Sequence, residues 1–154
     1  NGNYAALIRT IGHGVANTNV GSFLGMNGSI TGTHTIGILS YSGDFQVRPT
    51  KVKFYYRYIP EGDDVGVIEL KIENEDQDVI LYEATNVVSK TEYQLYEIPI
   101  NYMVENVVAT KLTLTLKSGS KHTNVVKAKV RGNGADEHYG SELYIDDISL
   151  VYDK

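Results

Sequence analysis

The chain of 154 residues contains no cysteine and no tryptophan. The absence of cysteine excludes disulfides, thiolate zinc sites, iron–sulfur clusters and a cysteine nucleophile. No apolar run approaches the roughly 20 residues that a membrane-spanning helix needs, and no leader pattern follows Asn1, so any signal peptide or upstream domain would lie outside this sequence. With 42% hydrophobic and 21% charged residues, the composition is that of one globular domain with a core of its own.

The net charge of −5 is distributed unevenly along the chain. Basic and acidic residues number five and one in 1–60, two and twelve in 61–105, six and none in 106–131, and one and six in 132–154. The pI of about 5.3 argues against a nucleic-acid partner, and the lysines of 106–131 are spaced like the solvent side of strands. We therefore predict that complementary charges pair between neighbouring strands.

Alternating apolar and polar residues predict strands throughout the chain. Residues 111–117 read Lys-Leu-Thr-Leu-Thr-Leu-Lys, and in 51–59 the residues Val52, Phe54, Tyr56 and Tyr58 share one side. Similar runs occur at 4–11, 68–73, 79–82, 93–100, 125–130 and 143–152, separated by turn residues such as those of 60–64 and 131–134. About eight or more short strands with no amphipathic helix predict a β-sandwich or jelly roll.

Two places break this rhythm. Residues 12–43 are rich in glycine, serine, threonine and asparagine and are predicted to be mostly loop. In the last strand, the apolar side changes from odd positions (Leu143, Ile145) to even ones (Ile148, Leu150, Tyr152) at Asp146-Asp147. A strand changes parity by inserting a residue, so a bulge or bend is predicted there.

The search for catalytic patterns predicts no catalytic residue. Nucleophile-elbow, zinc-protease, Walker and dinucleotide-binding motifs are missing, and no histidine lies three to five residues from another. The carboxylate pairs Asp63-Asp64 and Asp146-Asp147 are neighbours, whose side chains would point to opposite faces of a strand. A glycoside hydrolase would need two acids that the fold brings together across a cleft.

Calcium is the best candidate among metals, because it takes carboxylate and main-chain oxygens from irregular backbone. Asp146, at the predicted bulge, is the candidate ligand of a structural calcium ion. The alternative is that the two aspartates simply interrupt an edge or cap a bend.

Tyrosine is the feature most suggestive of binding, since the chain has twelve tyrosines and three phenylalanines. A tyrosine can lay its ring on the C–H face of a sugar while its hydroxyl forms a hydrogen bond. Tyr55, predicted to point outward between Lys53 and Arg57, is the strand-borne candidate. Tyr41 and Tyr139 are the loop-borne candidates, the latter beside His138. Tyrosine also favours strands in general, and Tyr56, Tyr58, Tyr144 and Tyr152 are assigned to the core or its margins.

Three segments carry a family resemblance: Val-Gly-Ser-Phe-Leu-Gly at 20–25, Phe-Gln-Val-Arg-Pro-Thr-Lys-Val-Lys-Phe-Tyr-Tyr-Arg-Tyr at 45–58, and Gly-Ser-Glu-Leu-Tyr-Ile-Asp-Asp-Ile-Ser-Leu-Val-Tyr at 140–152. They resemble the carbohydrate metabolism domain at the C-terminus of gut-bacterial surface proteins. The last segment is also similar to the final strand of carbohydrate-binding jelly rolls, in several of which the first aspartate binds a structural calcium; this carries over to Asp146. The resemblance implies a β-sandwich in an exported protein with a link to carbohydrate.

The resulting hypothesis is a single β-sandwich domain, residues 1–154, acting as the C-terminal module of a larger exported, cell-surface or extracellular protein. It binds a glycan or polysaccharide without catalysis, through Tyr41, Tyr55, Arg57, His138 and Tyr139. One alternative is a structural or adhesive module that presents an upstream domain of the same protein. The other is a glycoside hydrolase or another carbohydrate-active enzyme.

Overall fold

The computed structural model describes residues 5–13, 33–45, 48–102, 108–120, 125–131 and 135–152. None of these residues lies in a helix, so the described part has no helix that could cross a membrane. The strands are β1 (Ala6–His13), β2 (Thr33–Thr35), β3 (Ile38–Asp44), β4 (Lys51–Ile59), β5 (Gly66–Glu73), β6 (Val79–Val87), β7 (Lys90–Pro99), β8 (Lys111–Lys117), β9 (Val125–Arg131) and β10 (Ala135–Val151).

The strands form two antiparallel sheets. The six-stranded sheet has the order β2-β1-β10-β4-β7, with β9 also paired to β10. The four-stranded sheet has the order β3-β8-β5-β6. The predicted all-β fold and β-sandwich class are confirmed, while the jelly-roll connection stays a prediction.

The core lies between the two sheets. The six-stranded sheet contributes Val52, Phe54, Tyr56 and Tyr58 of β4, and the four-stranded sheet contributes the leucines and isoleucines of β5 and β8, in one cluster. Tyr58 also joins the sheets through its hydroxyl, which donates to the carbonyl of Ser118 at 3.1 Å. The inward side of each strand is therefore the apolar side that its two-residue period predicts.

The predicted strand limits agree best with the structure where apolar and polar residues alternate strictly. The structure gives β4 and β8 the predicted limits, and each buries every second residue. The prediction of loop for residues 12–43 was wrong in part, because β2 and most of β3 lie there. β3 is an edge strand whose residues are exposed on both faces, so it carries no alternation of buried and exposed positions. Residues 14–32, with the segment 20–25, and the turn at 132–134 lie outside the described residues.

Pairing of complementary charges between neighbouring strands is confirmed. Lys117 of β8 lies 2.6 Å from Glu69 of β5, and Lys51 of β4 lies 3.4 Å from Glu97 of β7. A third pair joins β1 to β10, as described below. In each of these pairs a basic residue of one segment thus meets an acidic residue of another.

The predicted bulge in β10 is present. The pairing of β10 with β4 shifts between Asp146 and Ser149, and Asp147 has a φ of 52°. The inward assignment after the bulge was wrong for Ile148 and Tyr152, which are exposed, and Leu150 alone of the three packs against the core. The extra residue leaves Ile148 at the irregularity itself.

Candidate functional site

The outer face of the six-stranded sheet carries a row of aromatic and charged side chains. Because Ile8 and Thr10 of β1, and Leu143 and Ile145 of β10, are buried, the residues that alternate with them face outward. We call the resulting set the arginine–tyrosine row, which consists of Tyr139, Arg9, Glu142, Tyr144, Arg57 and Tyr55.

Glu142 is the centre of the row. Its Oε1 lies 2.7 Å from an Nη of Arg9, and its Oε2 accepts a hydrogen bond from the Tyr144 hydroxyl at 2.6 Å. The bond to this carboxylate is the largest cause that raises the pKa of Tyr144, and burial raises it further. The carboxylate therefore holds Tyr144 in its protonated, neutral form.

Two guanidinium groups cover tyrosine rings of the row. The Cζ of Arg9 lies 4.3 Å from the ring centroid of Tyr139, and the Cζ of Arg57 lies 4.9 Å from that of Tyr144. Both distances are within the range of attraction between a cation and an aromatic face. These contacts order the row across β1, β10 and β4.

Both arginines also have an Nε–H donor that no described residue accepts. The Nε atoms of Arg9 and Arg57 are shielded from solvent and have no hydrogen-bond partner among the described residues. Buried donors of this kind are uncommon because each lost bond to water costs free energy. A small rotation that exposes either guanidinium edge to an oxygen acceptor would satisfy them.

Tyr55 is the accessible ring at the β4 end of the row. It is 42% exposed, which leaves ring surface for contact, and its register partners are Asp146 on β10 and Leu95 on β7. Arg57 follows it by two residues on the same face. The predicted outward orientation of Tyr55 is confirmed.

Tyr139 enters the row through an irregularity in β10. Arg9 pairs with Glu142, but Ile11 pairs with Tyr139, so two steps along β1 correspond to three along β10. Without that extra residue, Tyr139 would share a face with the buried Ser141 and Leu143. The loop assignment of Tyr139 was therefore wrong, since it lies on β10.

The side chain of His138 lies outside the described part of the structure, and Tyr41 lies on the other sheet. His138 lies on β10, where its backbone pairs with Gly12 of β1 and Lys127 of β9. Tyr41 was also assigned to a loop, wrongly, because it lies on β3 of the other sheet, where it is exposed. Near it, a groove of about 510 Å³ opens between β1 and β3 and is lined partly by Ile38 and Leu39.

Asp146 offers one carboxylate at the β10 bulge. Its Oδ1 accepts the main-chain N–H of Asp147 at 2.9 Å. Within the described ranges, no three histidine, aspartate or glutamate residues are grouped to hold a metal. Calcium takes six to eight oxygen ligands, so calcium at Asp146 would need main-chain oxygens and stays a prediction.

The buried carboxylate of Asp64 holds the irregular part of β10 in place through a hydrogen bond on the inner side of the sheet. Asp64 is buried in the turn between β4 and β5, where it accepts hydrogen bonds from the Ser141 hydroxyl at 2.8 Å and from the Ser120 N–H at 2.8 Å. Ser141 in turn accepts the N–H of Glu61 at 3.0 Å. Asp64 is thus a turn residue, which confirms the turn predicted at 60–64.

The structure brings together three of the predicted ligand-binding residues, Tyr55, Arg57 and Tyr139, on one face. Arg9 and Glu142 were not predicted, because they belong to the row through pairing of β1 with β10. Tyr144, which the sequence assigns to the core or its margin, also faces outward. Alternation around Leu143 and Ile145 was the signal that could have found it.

Comparisons with known proteins give only distant structural likeness. No family model matches the sequence, and no curated protein matches it. The chain is similar to the enzymatically active domain of tailspike protein 4 from bacteriophage CBA120, with 7% identity and a TM-score of 0.47 over 96% of this chain and 19% of that one. It is also similar to a structure of infectious bursal disease virus, Gx strain, with 9% identity and a TM-score of 0.35 over 92% of this chain and 38% of that one. The chain therefore spans less than half of either protein, and likeness at this level carries no functional argument.

Proposed function

We propose that the chain is a non-catalytic carbohydrate-binding module that uses the outer face of its six-stranded sheet. The observation that carries this proposal is the arginine–tyrosine row, in which three tyrosines, two arginines and a glutamate lie side by side on adjacent strands. Aromatic surface next to fixed hydrogen-bonding groups suits a sugar, whose rings have apolar C–H faces and polar edges.

Different residues of the arginine–tyrosine row would make different contacts with a sugar. Tyr55 provides an exposed ring against which a sugar ring can stack. Arg57 provides donors beside that sugar and Glu142 provides acceptors farther along the row, and their contacts with Tyr144 keep them in place before a ligand arrives. Side chains ordered in advance lose less entropy on binding.

The resemblance to gut-bacterial surface proteins supports a setting for this activity. In that setting the domain is a module of an exported protein at the cell surface or outside the cell, joined to an upstream domain. Its role is to hold that protein on a glycan or polysaccharide, while any chemistry belongs to the upstream domain.

A glycan-array screen of the isolated chain tests the proposal. We expect specific binding that the Tyr55→Ala substitution lowers about fivefold or more, since stacking of one ring is worth on the order of 1 kcal/mol or more. Tyr82→Ala is the matched control, because Tyr82 is an exposed tyrosine on the four-stranded sheet. Loss of binding in both variants to the same degree would exclude the row as the site.

The same screen separates the alternatives. A folded chain that binds no glycan would contradict the proposal and favour a structural or adhesive module. Repeating the screen with a chelator tests calcium at Asp146, since binding that depends on the ion would fall.

A further inference from the structure

We infer that the ligand of the arginine–tyrosine row is an acidic glycan, whose negative charge sits over β4 beside Tyr55. This inference rests on the proposed function and names the class of sugar that the site would take. It comes from the charges that flank Tyr55 and from the ion pairs that already engage Arg9 and Lys51.

Two cations flank Tyr55 on the outer face of β4. Lys53 precedes it by two residues and Arg57 follows it by two, which places their Cα atoms roughly 7 Å to either side along the strand. Neither cation forms an ion pair in the part of the chain that the structure describes. An exposed ring thus lies between two cations, neither of which has a carboxylate within ion-pair distance among the described residues.

Two other described cations of the face are already engaged. Arg9 is paired with Glu142, and Lys51 with Glu97. The contact of Arg57 with Tyr144 is to a neutral ring, so it leaves the charge of the guanidinium uncompensated. A carboxylate or sulfate on a sugar would supply the missing partner, and with arginine it can form two parallel hydrogen bonds.

Asp146 limits where this negative charge can lie. Its backbone pairs with Tyr55 from the β10 side, so its carboxylate would repel an anionic group placed there. The acidic group is therefore directed toward the cations of β4. With a chelator present, replacing Asp146 by asparagine should tighten binding of an acidic glycan.

Matched polymers test the inference. We would measure binding of polygalacturonate against its fully methyl-esterified form, and of dextran sulfate against dextran, at low and high ionic strength. The charged member of at least one pair should bind at least about tenfold more tightly, with the advantage shrinking as salt screens the charges. The pair that shows the preference identifies the anion as carboxylate or sulfate.

Substitutions of single cations test where on the sheet the acidic group of the ligand binds. Arg57→Gln and Lys53→Gln should each lower affinity for the acidic polymer about fivefold, while Lys111→Gln, on the other sheet, should have no effect. Lys53 forms no hydrogen bond or ion pair with the described residues of the row, so its variant keeps the test valid if Arg57→Gln fails to fold. Equal loss in all three variants would indicate general attraction to positive charge and overturn the inference.

Different results would contradict the acidic ligand and carbohydrate binding itself. If charged and neutral polymers bind equally, or only neutral glycans bind on the array, the acidic ligand is wrong and carbohydrate binding stands. If a folded chain binds neither polymer and no glycan on the array, both proposals are wrong.

Discussion

Arg9 lies over the ring of Tyr139 with its Cζ 4.3 Å from the ring centroid, on the opposite face of the sheet from Ser141 two residues along. Residues two apart on a regular strand share a face. The irregularity between them turns Tyr139 outward and Ser141 inward, where Ser141 donates to Asp64. A buried hydrogen bond and an exposed ring are therefore two results of one extra residue in β10.

The Asp64→Ala substitution should destabilise the fold by roughly 3 kcal/mol. It removes the acceptor of the Ser141 hydroxyl and of the N–H groups of Val65 and Ser120, leaving the buried Ser141 hydroxyl without its acceptor. Chemical denaturation measures the change, with Asp76→Ala as the control because Asp76 is exposed in a turn. Similar small losses in both variants would show that the Asp64 cluster contributes little.

The Glu142→Gln substitution should lower the pKa of Tyr144 toward its ordinary value of about 10. The main cause of the raised pKa is the hydrogen bond to the Glu142 carboxylate, and a neutral amide would no longer oppose the phenolate. NMR titration of the tyrosine ring signals in wild type and variant measures the shift. An unchanged pKa would mean that the Glu142–Tyr144 bond does not form in solution.

The Leu114→Ala substitution should cost about 2–5 kcal/mol of the free energy of unfolding. Leu114 is buried at the centre of β8 with only 1% of its surface exposed, so truncation leaves a cavity between the sheets. Leu95→Ala is the control, because Leu95 lies on the outer face of β7 and is half exposed. Comparable losses at the two positions would contradict the assignment of the core.

Stability should fall at alkaline pH through Tyr58. Burial raises the pKa of Tyr58 from 10.0 to about 12, with a smaller raising contribution from Asp64 and a lowering one from Ser141. Because the folded-state pKa is the higher one, this stabilisation is complete below pH 10 and is lost as pH rises through 12. It amounts to roughly 2–3 kcal/mol.

The Tyr58→Phe variant isolates that contribution. Its free energy of unfolding should decline less steeply than that of wild type between pH 10 and 12, although it also loses the hydrogen bond to Ser118. Parallel pH profiles of wild type and variant would show that Tyr58 titrates alike in the folded and unfolded chains.

The parts of the fold that sequence predicts are those where side chains alternate in and out. β4 and β8 are inner strands of their sheets, and each buries one face against the opposite sheet. Their sequences therefore show directly which face is buried. The bulge at Asp146 was predictable for the same reason, since a change of parity is visible in the apolar positions. β3 was missed because an edge strand with both faces exposed places no such constraint on its residues.

The candidate site could be predicted only one strand at a time. The position of Tyr55 follows from the alternation of β4. The face of Tyr139 depends on where β10 shifts its register against β1, which its own residues do not reveal. Arg9 and Glu142 form an ion pair because β1 pairs with β10, near opposite ends of the chain. Asp64 and Ser141 form a hydrogen bond although 77 residues separate them. Pairings of this range follow from sheet topology rather than local pattern.

The most direct test of the central claim is an NMR titration of the isolated chain with hexagalacturonate, followed through the backbone amides. We expect shifts that saturate and map to β4 and β10 around Tyr55, Arg57 and Tyr144, with the amides of β6 around Tyr82 unmoved. Saturable shifts confined to β3, β6 or β8, on the other sheet, would contradict the assignment of binding to the arginine–tyrosine row. The same titration on Tyr55→Ala should lose the shifts on β4 while the rest of the spectrum stays that of the folded protein.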